Sequence, residues 1–289
     1  VRLASLTFGY GVDLERIVGR VIGVFPRACE ILIADGRIVT LATKAAGSLP
    51  GGITTDAPTD FAFSGTVGIG VDAASRGGVL RFSGSDLTVD LRTARPWRSN
   101  AASIGLEVTK PSTHQAWNAA REALVTDGRI APFLTIARAP IRDLAEATRA
   151  LDGGPAEAGA KSLIGLGDGV TPAGDDYLVG YLGGLWSSSC RIAERVTFAA
   201  QLGGDVAGMT PRTHRVSRAY LEAAAIGELS ERLASVAVAI AAGSLSETRE
   251  ATAAAVAIGH TSGACAVLGL LIGSAAHDNH AAARALIAL

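Results

Sequence analysis

The sequence predicts an α+β protein, a β-rich N-terminal module followed by a mainly α-helical C-terminal domain. Short β-branched runs separated by turn residues fill the chain from Arg16 to about Arg98, and beyond them the apolar spacing becomes that of helices. Composition adds a third observation: hydrophobic residues make up 48% of the 289 but aromatics only 5%, and 35 residues are glycine. The core must therefore use small side chains that let backbones approach closely. The boundary is expected between residues 100 and 109, giving domains 1–105 and 106–289.

In the N-terminal module, residues 16–24 and 29–34 read as strands. Asp35-Gly36 then tolerates the positive φ of a two-residue turn, and residues 37–41 supply the returning strand. Residues 61–64, 67–71, 79–82 and 87–91 are further strand candidates, whereas 47–60 is a Gly/Pro/Thr-rich loop. Arg92, Arg95 and Arg98 around Trp97 could hold an anion or brace the domain junction, and bracing is the expectation. In the second half, Ser112 with Gln115 predicts a capping box, and residues 140–151 a second helix. Thr210-Pro211 predicts another helix start, and Ser244 with Glu247 one more. Gly153-Gly154-Pro155 reads as a flexible joint.

Charge narrows the function classes. With 26 basic and 27 acidic residues the net charge is −1, so no basic field exists to hold a nucleic acid. Cys29, Cys190 and Cys265 are too few and too scattered for a disulfide framework or a CxxC metal site, which points to a reducing cytoplasm. The N-terminus carries no signal-peptide pattern. Residues 251–276 lack Asp, Glu, Lys and Arg, but His260-Thr261-Ser262-Gly263 interrupts them; buried helices are expected, not a membrane span. His277 and His280 have helical spacing without an evident third metal ligand.

The densest chemical signal is Gly165-Leu166-Gly167-Asp168-Gly169-Val170-Thr171-Pro172-Ala173-Gly174-Asp175-Asp176, running directly into an apolar helix. Such a loop offers backbone N–H groups at the positive end of a helix dipole, where a phosphate or carboxylate could sit. It lacks the Gly-Lys-Ser/Thr of a Walker loop and the glycine spacing of a dinucleotide fingerprint. The pair Asp175 and Asp176 favours a cation instead, with Mg2+ the candidate, or simply caps the helix.

A second loop, Gly259-His260-Thr261-Ser262-Gly263, also enters an apolar helix. Setting Ala173 against Ser262 aligns Gly174 with Gly263, Gly180 with Gly269 and Gly184 with Gly273; upstream, an insertion would match Gly165 with Gly259. The pattern suggests a duplicated loop-helix unit about a pseudo-twofold axis, with both loops at one end of a shared bundle. Serine stands fourth in the second loop, not third as in a nucleophile elbow, so Ser262 reads as an anion ligand or cap. Thr213, Ser217 and Tyr220 form a hydroxyl stripe on the helix expected after Pro211, a partly solvated face on its residues alone.

The run GLGDGVTPAGDDYLVG closely resembles the signature of the AllH family, whose named member is a subunit of oxamate carbamoyltransferase. Thr213 and Ser217 before Tyr220, and then Gly259 to Gly263, follow in the order that family shows. One departure stands out: the family's later motif continues Ser-Gly-x-Asp, and here that last position is Cys265. The resemblance implies a carbamoyltransferase subunit that exchanges oxalurate and phosphate for oxamate and carbamoyl phosphate. It also implies partner subunits like acyl-CoA synthetases, and it leaves homo-oligomerisation open. On this reading Asp175, Asp176 and His260 are the candidate catalytic residues, and Asp175 with Asp176 the candidate metal ligands. Gly167, Gly169, Thr171, Gly174, Thr213, Ser217, Ser262 and Gly263 would bind the small anionic substrate. The alternatives are a noncatalytic assembly or ligand-binding subunit of such a complex, and a Mg2+-dependent phosphotransfer enzyme.

Overall fold

The structure, a computed structural model, describes residues 1–189, 192–278 and 281–288, so Cys190 and His280 lie outside the described residues. The chain divides into two compact units, Val1–Ser99 and Asn100–Leu289.

The first unit is a closed eight-stranded β-barrel. Its strands are β1 (Arg2–Phe8), β2 (Val18–Val24), β3 (Ala28–Ile33), β4 (Ile38–Thr43), β5 (Gly52–Thr55), β6 (Asp72–Arg76), β7 (Val79–Phe82) and β8 (Thr88–Asp90). They run β1-β5-β4-β3-β2-β6-β7-β8 and return to β1. A two-residue strand, β9 (Arg95–Pro96), continues along β1 where β8 ends, with Thr7 opposite Arg95. Eight strands enclose a space that side chains can fill, and Leu3, Val21, Ile31, Leu41, Ile53 and Leu80 are buried there. The expected hairpin is present: β3 and β4 pair antiparallel, with Gly36 at φ +86 between them.

Three barrel strands, β1, β5 and β6, escaped the sequence pattern, and the first two close the barrel. β1 pairs antiparallel with β5, Phe8 opposite Ile53, although β5 lies inside the stretch expected to be a loop. Conversely, the expected strand at residues 61–64 is a 3-10 turn, Phe63–Gly65, holding buried Phe63. The expected strand at 67–71 is likewise absent: Gly70 turns at φ +86, and only the Gly70 N–H and the Val71 carbonyl bond to Val21. Arg92 is held within this unit by Asp90 at 2.5 Å, and Arg98 lies 4.8 Å from the Tyr10 ring centroid.

The second unit contains ten α-helices among the described residues: α1 (Pro111–Asp127), α2 (Ala131–Ala150), α3 (Gly153–Leu163), α4 (Ala173–Ser189), α5 (Ala193–Met209), α6 (Arg215–Ala225), α7 (Glu231–Ala242), α8 (Leu245–Val256), α9 (Ser262–Ala275) and α10 (Ala281–Ile287). No helix is long and apolar enough to cross a membrane among the described residues. Several starts differ from expectation. Pro111, pre-set for the first helical position, begins α1 ahead of Ser112, so no capping box forms. The helix α2 begins well before Pro140, which sits in its interior, and Gly153 opens α3 instead of a joint. Thr210–Arg212 is a 3-10 turn, and Thr213 is extended before α6 starts.

The helices α4 and α9 are buried on nearly every face and pack on each other through backbone. A Cβ added to Gly180 would lie 1.8 Å from the Ala266 carbonyl oxygen, and one on Gly269 would lie 2.0 Å from that of Tyr177. Likewise Gly184 meets the Leu270 carbonyl at 2.4 Å and Gly273 that of Tyr181 at 2.2 Å. Moving 89 positions along the chain converts each of these contacts into the other member of its pair, which is the signature of a pseudo-twofold relation. The contact partners advance together along both helices, so α4 and α9 run parallel and present their N-termini at the same end.

The same relation reaches further back. The turn after α2 bonds Leu151 N to Thr148 O and Asp152 N to Ala147 O; the turn after α7 bonds Gly243 N to Ile240 O and Ser244 N to Ala239 O. At the loops, Gly174 N donates to Leu166 O and Gly263 N to Ile258 O. Up to Leu166 and Ile258 the matches are offset by 92 positions, and from Gly174 and Gly263 onward by 89, so the first loop carries a three-residue insertion. Gly259 therefore matches Gly167, not Gly165. The Cβ contacts agree, since a Cβ on Gly167 would meet Ala173 and one on Gly259 would meet Ser262, the matching residue.

Candidate functional site

Both glycine loops lead into the parallel pair, so the positive ends of two helix dipoles converge where the loops meet. In the first loop Gly165, Gly167 and Gly169 hold φ of +74, +107 and +99, a conformation that side chains rarely adopt. The exposed loop then turns at Thr171-Pro172 into α4, and the Pro172 carbonyl accepts from the N–H groups of Asp175 and Asp176.

The two aspartates are neighbours with different surroundings. Asp175 is buried; its Oδ1 accepts from the Gly165 N–H at 2.7 Å, and its Oδ2 accepts from the Thr213 hydroxyl. It thus ties the start of the glycine loop and the segment before α6 to the first turn of α4. Each oxygen thus accepts one hydrogen bond, so N–H and O–H donors face this carboxylate.

Asp176 faces the other loop. It hydrogen-bonds to Ser262 and Thr171, and these two hydroxyls lie 2.9 Å from each other, which joins the loops directly. Its Oδ2 is buried with no hydrogen-bond partner among the described residues. Burial pushes the carboxyl up to about 7, helped by the charge of Asp175 and opposed by the two hydroxyl bonds. The position matching Asp176 in the second half is Cys265, fully buried, whose thiol is pushed up to about 12 by burial and by the charge of Asp176.

The remaining expected residues divide. Gly174 and Gly263 pack against the ends of the preceding helices, where an added Cβ would fall 2.0 Å from the Leu163 carbonyl oxygen and 2.1 Å from that of Ala255. Gly167 and Gly169 line the exposed turn. Thr213 reaches the site through Asp175, whereas Ser217, a turn later on α6, is buried with its hydroxyl unpartnered among the described residues. His260 is exposed, and its imidazole makes no hydrogen bond among the described residues. Its carbonyl accepts from Arg129 Nη1 at 3.1 Å. Arg129, itself paired with Asp127 at 2.7 Å, is a contributor that sequence reasoning missed; a lone Asp-Gly-Arg after a helix carries no signal of a partner more than a hundred residues away. Among the described residues no three His, Cys, Asp or Glu side chains gather to hold a metal.

Residues 163–274 match the family model described as oxamate carbamoyltransferase subunit AllH, which supports the AllH resemblance and suggests a subunit of that enzyme. The matched stretch runs from the first glycine loop to the end of α9 and so takes in the whole two-loop site. No curated protein matches the chain, and no solved structure does.

Proposed function

From the match to an oxamate carbamoyltransferase subunit, we propose that this chain is a carbamoyltransferase subunit whose two-loop site exchanges oxalurate and phosphate for oxamate and carbamoyl phosphate. In that reaction a phosphate oxygen attacks the carbamoyl carbon of oxalurate, and the bond from this carbon to the oxamate nitrogen breaks. The departing nitrogen must take up a proton; in the reverse direction the same proton must be removed. Asp176 is the group we assign to this transfer. The observation that carries the reading is its place where the loops join, beside the Thr171–Ser262 contact and with one buried oxygen unpartnered among the described residues; burial raises its pKa to about 7, which suits both proton donation and acceptance near neutrality. Loop N–H groups and the two helix N-termini would hold the phosphate and the developing oxyanion.

Asp175 acts in this reading as a positioning residue, because its carboxylate is spent on Gly165 and Thr213. That also disfavours the Mg2+-dependent phosphotransfer alternative, which needs the carboxylates as a pair. The test is phosphorolysis of oxalurate, read as carbamoyl phosphate formed by the chain with the acyl-CoA-synthetase-like subunits that the resemblance implies. Asp176→Asn should lower kcat by at least about 100-fold while oxamate binding, measured by calorimetry, changes little. Full turnover in Asp176→Asn would overturn the assignment. Binding of oxamate without turnover in the wild-type assembly would favour the noncatalytic subunit instead.

A further inference from the structure

The two glycine loops are held in place by different means. In the first, Asp175 from the opening turn of α4 accepts from the Gly165 N–H and from the Thr213 hydroxyl. The pseudo-twofold relation puts Ala264 at the matching position of α9, so α9 offers the second loop no such carboxylate. The second loop is held instead from the turn between α1 and α2. There Arg129 Nη1 donates to the His260 carbonyl at 3.1 Å and to that of Gly259 at 3.5 Å. Among the described residues no other donor meets either carbonyl.

Arg129 is itself aimed. Its Nε and Nη2 meet the two oxygens of Asp127 at 2.7 and 2.8 Å, a forked pairing that leaves Nη1 on the far side of the guanidinium. Gly128 between them, at φ +76, makes the bend that ends α1. Both charges stand at the unfavourable ends of their helices, since Asp127 is the last residue of α1 and Arg129 lies just before α2. Helix stability alone would reverse them, and an ion pair near the surface contributes little by itself. What the pair achieves is the reach of Nη1 to a loop 130 residues further along the chain.

That loop carries half of the contacts at the site. Two residues after His260, Ser262 meets the Thr171 hydroxyl at 2.9 Å and hydrogen-bonds to Asp176. We propose that Arg129, oriented by Asp127, is a positioning residue of the two-loop site, holding the second loop so that Ser262 stays against Thr171 and Asp176. It is the counterpart in the second half of Asp175 in the first, with a cation on carbonyls in place of a carboxylate on donors. Only the turnover measured below rests on the carbamoyltransferase reading.

Hydrogen exchange of the full chain, read by mass spectrometry, tests the hold on the loop without any assay of activity. The Gly263 and Cys265 N–H groups bond to the Ile258 and Thr261 carbonyls, so their exchange reports the order of this loop. In Arg129→Gln the peptide carrying them should exchange at least about tenfold faster, while peptides of α5 exchange as in wild type. Asp127→Asn, which keeps the guanidinium but loosens its aim, should give a smaller increase in the same peptide. With the partner subunits present, Arg129→Gln should lower kcat at least about tenfold and change the KM for oxalurate less than about threefold. Wild-type exchange at the loop in both variants, or a rise spread over the whole helical unit, overturns the proposal. Wild-type kcat in Arg129→Gln overturns the role in the site, whatever the exchange. A wild-type assembly that transfers no carbamoyl group refutes the carbamoyltransferase reading alone, and the exchange still decides whether Arg129 positions the loop.

Discussion

Replacing Asp176 by Asn should change how stability depends on pH, by an amount that the surroundings of the carboxyl set. In the folded chain burial raises its pKa to about 7, against roughly 3.9 for an unfolded aspartate. Between these values the folded state holds a proton that the unfolded state has lost. The contribution of this group is therefore most favourable below about pH 4 and is lost as pH rises through 7. The whole difference of about three pKa units corresponds to about 4 kcal/mol, of which about 3 kcal/mol falls between pH 5 and pH 8. Asn at the same place cannot ionise. The wild type should therefore lose about 3 kcal/mol relative to Asp176→Asn on going from about pH 5 to pH 8, a change of roughly 6–12 °C in their Tm difference. Helical far-UV circular dichroism during urea or thermal unfolding of the full chain follows the right unit, because the other unit is a barrel. A difference between the two proteins that stays constant over this pH range would refute a raised Asp176, and with it the proton-transfer role.

Two further outcomes follow from the packing. Gly269→Ala puts a methyl group 2.0 Å from the Tyr177 carbonyl, so α4 and α9 must separate, at a cost of about 3 kcal/mol or more. Gly204→Ala, on the exposed side of α5 with no atom within reach, should instead stabilise by about 0.5–1 kcal/mol; comparison of their melting curves checks the opposite signs. Cys29 and Cys265 are buried, with thiols pushed up to about 12, so a disulfide reagent near pH 8 should leave both unmodified in the folded chain and react with them in urea.

The two-part architecture was legible because it depends on local period: strands at β7 and the β3–β4 hairpin, helices after residue 110. Barrel closure was not, since it rests on β1 meeting β5 across more than forty residues, and β5 is only Gly-Ile-Thr-Thr. The interruption before α6 was equally hidden. Thr210-Pro211 has the chemistry of a helix start, yet Thr213 stays extended, with its hydroxyl donating to buried Asp175. For the site, glycine spacing was enough to align α4 with α9, because a backbone contact tolerates no side chain on either partner. It could not register the loops, where the three-residue insertion disguises the match of Gly167 with Gly259, nor could it distinguish Asp175 from Asp176. That distinction comes from which hydroxyl each one meets.

The pairing of α4 with α9 also explains why the two halves differ at the positions that carry chemistry. Two parallel helices joined at backbone distance bring their positive ends together, an arrangement that carboxylates at the shared end relieve. The first half supplies both, Asp175 and Asp176; the matching positions of the second half are Ala264 and Cys265. A carboxylate at Cys265 would face Asp176 across the pseudo-twofold axis, and two such groups could not both ionise in a buried site; they would share a proton and titrate as a pair. With a thiol there, whose own ionisation lies far above neutrality, Asp176 meets no second carboxylate across the axis. The glycines cannot diverge in this way. Each of Gly180, Gly184, Gly269 and Gly273 lies against the backbone of the opposite helix, so the packing demands the same residue in both halves while the loop chemistry needs its acid in only one.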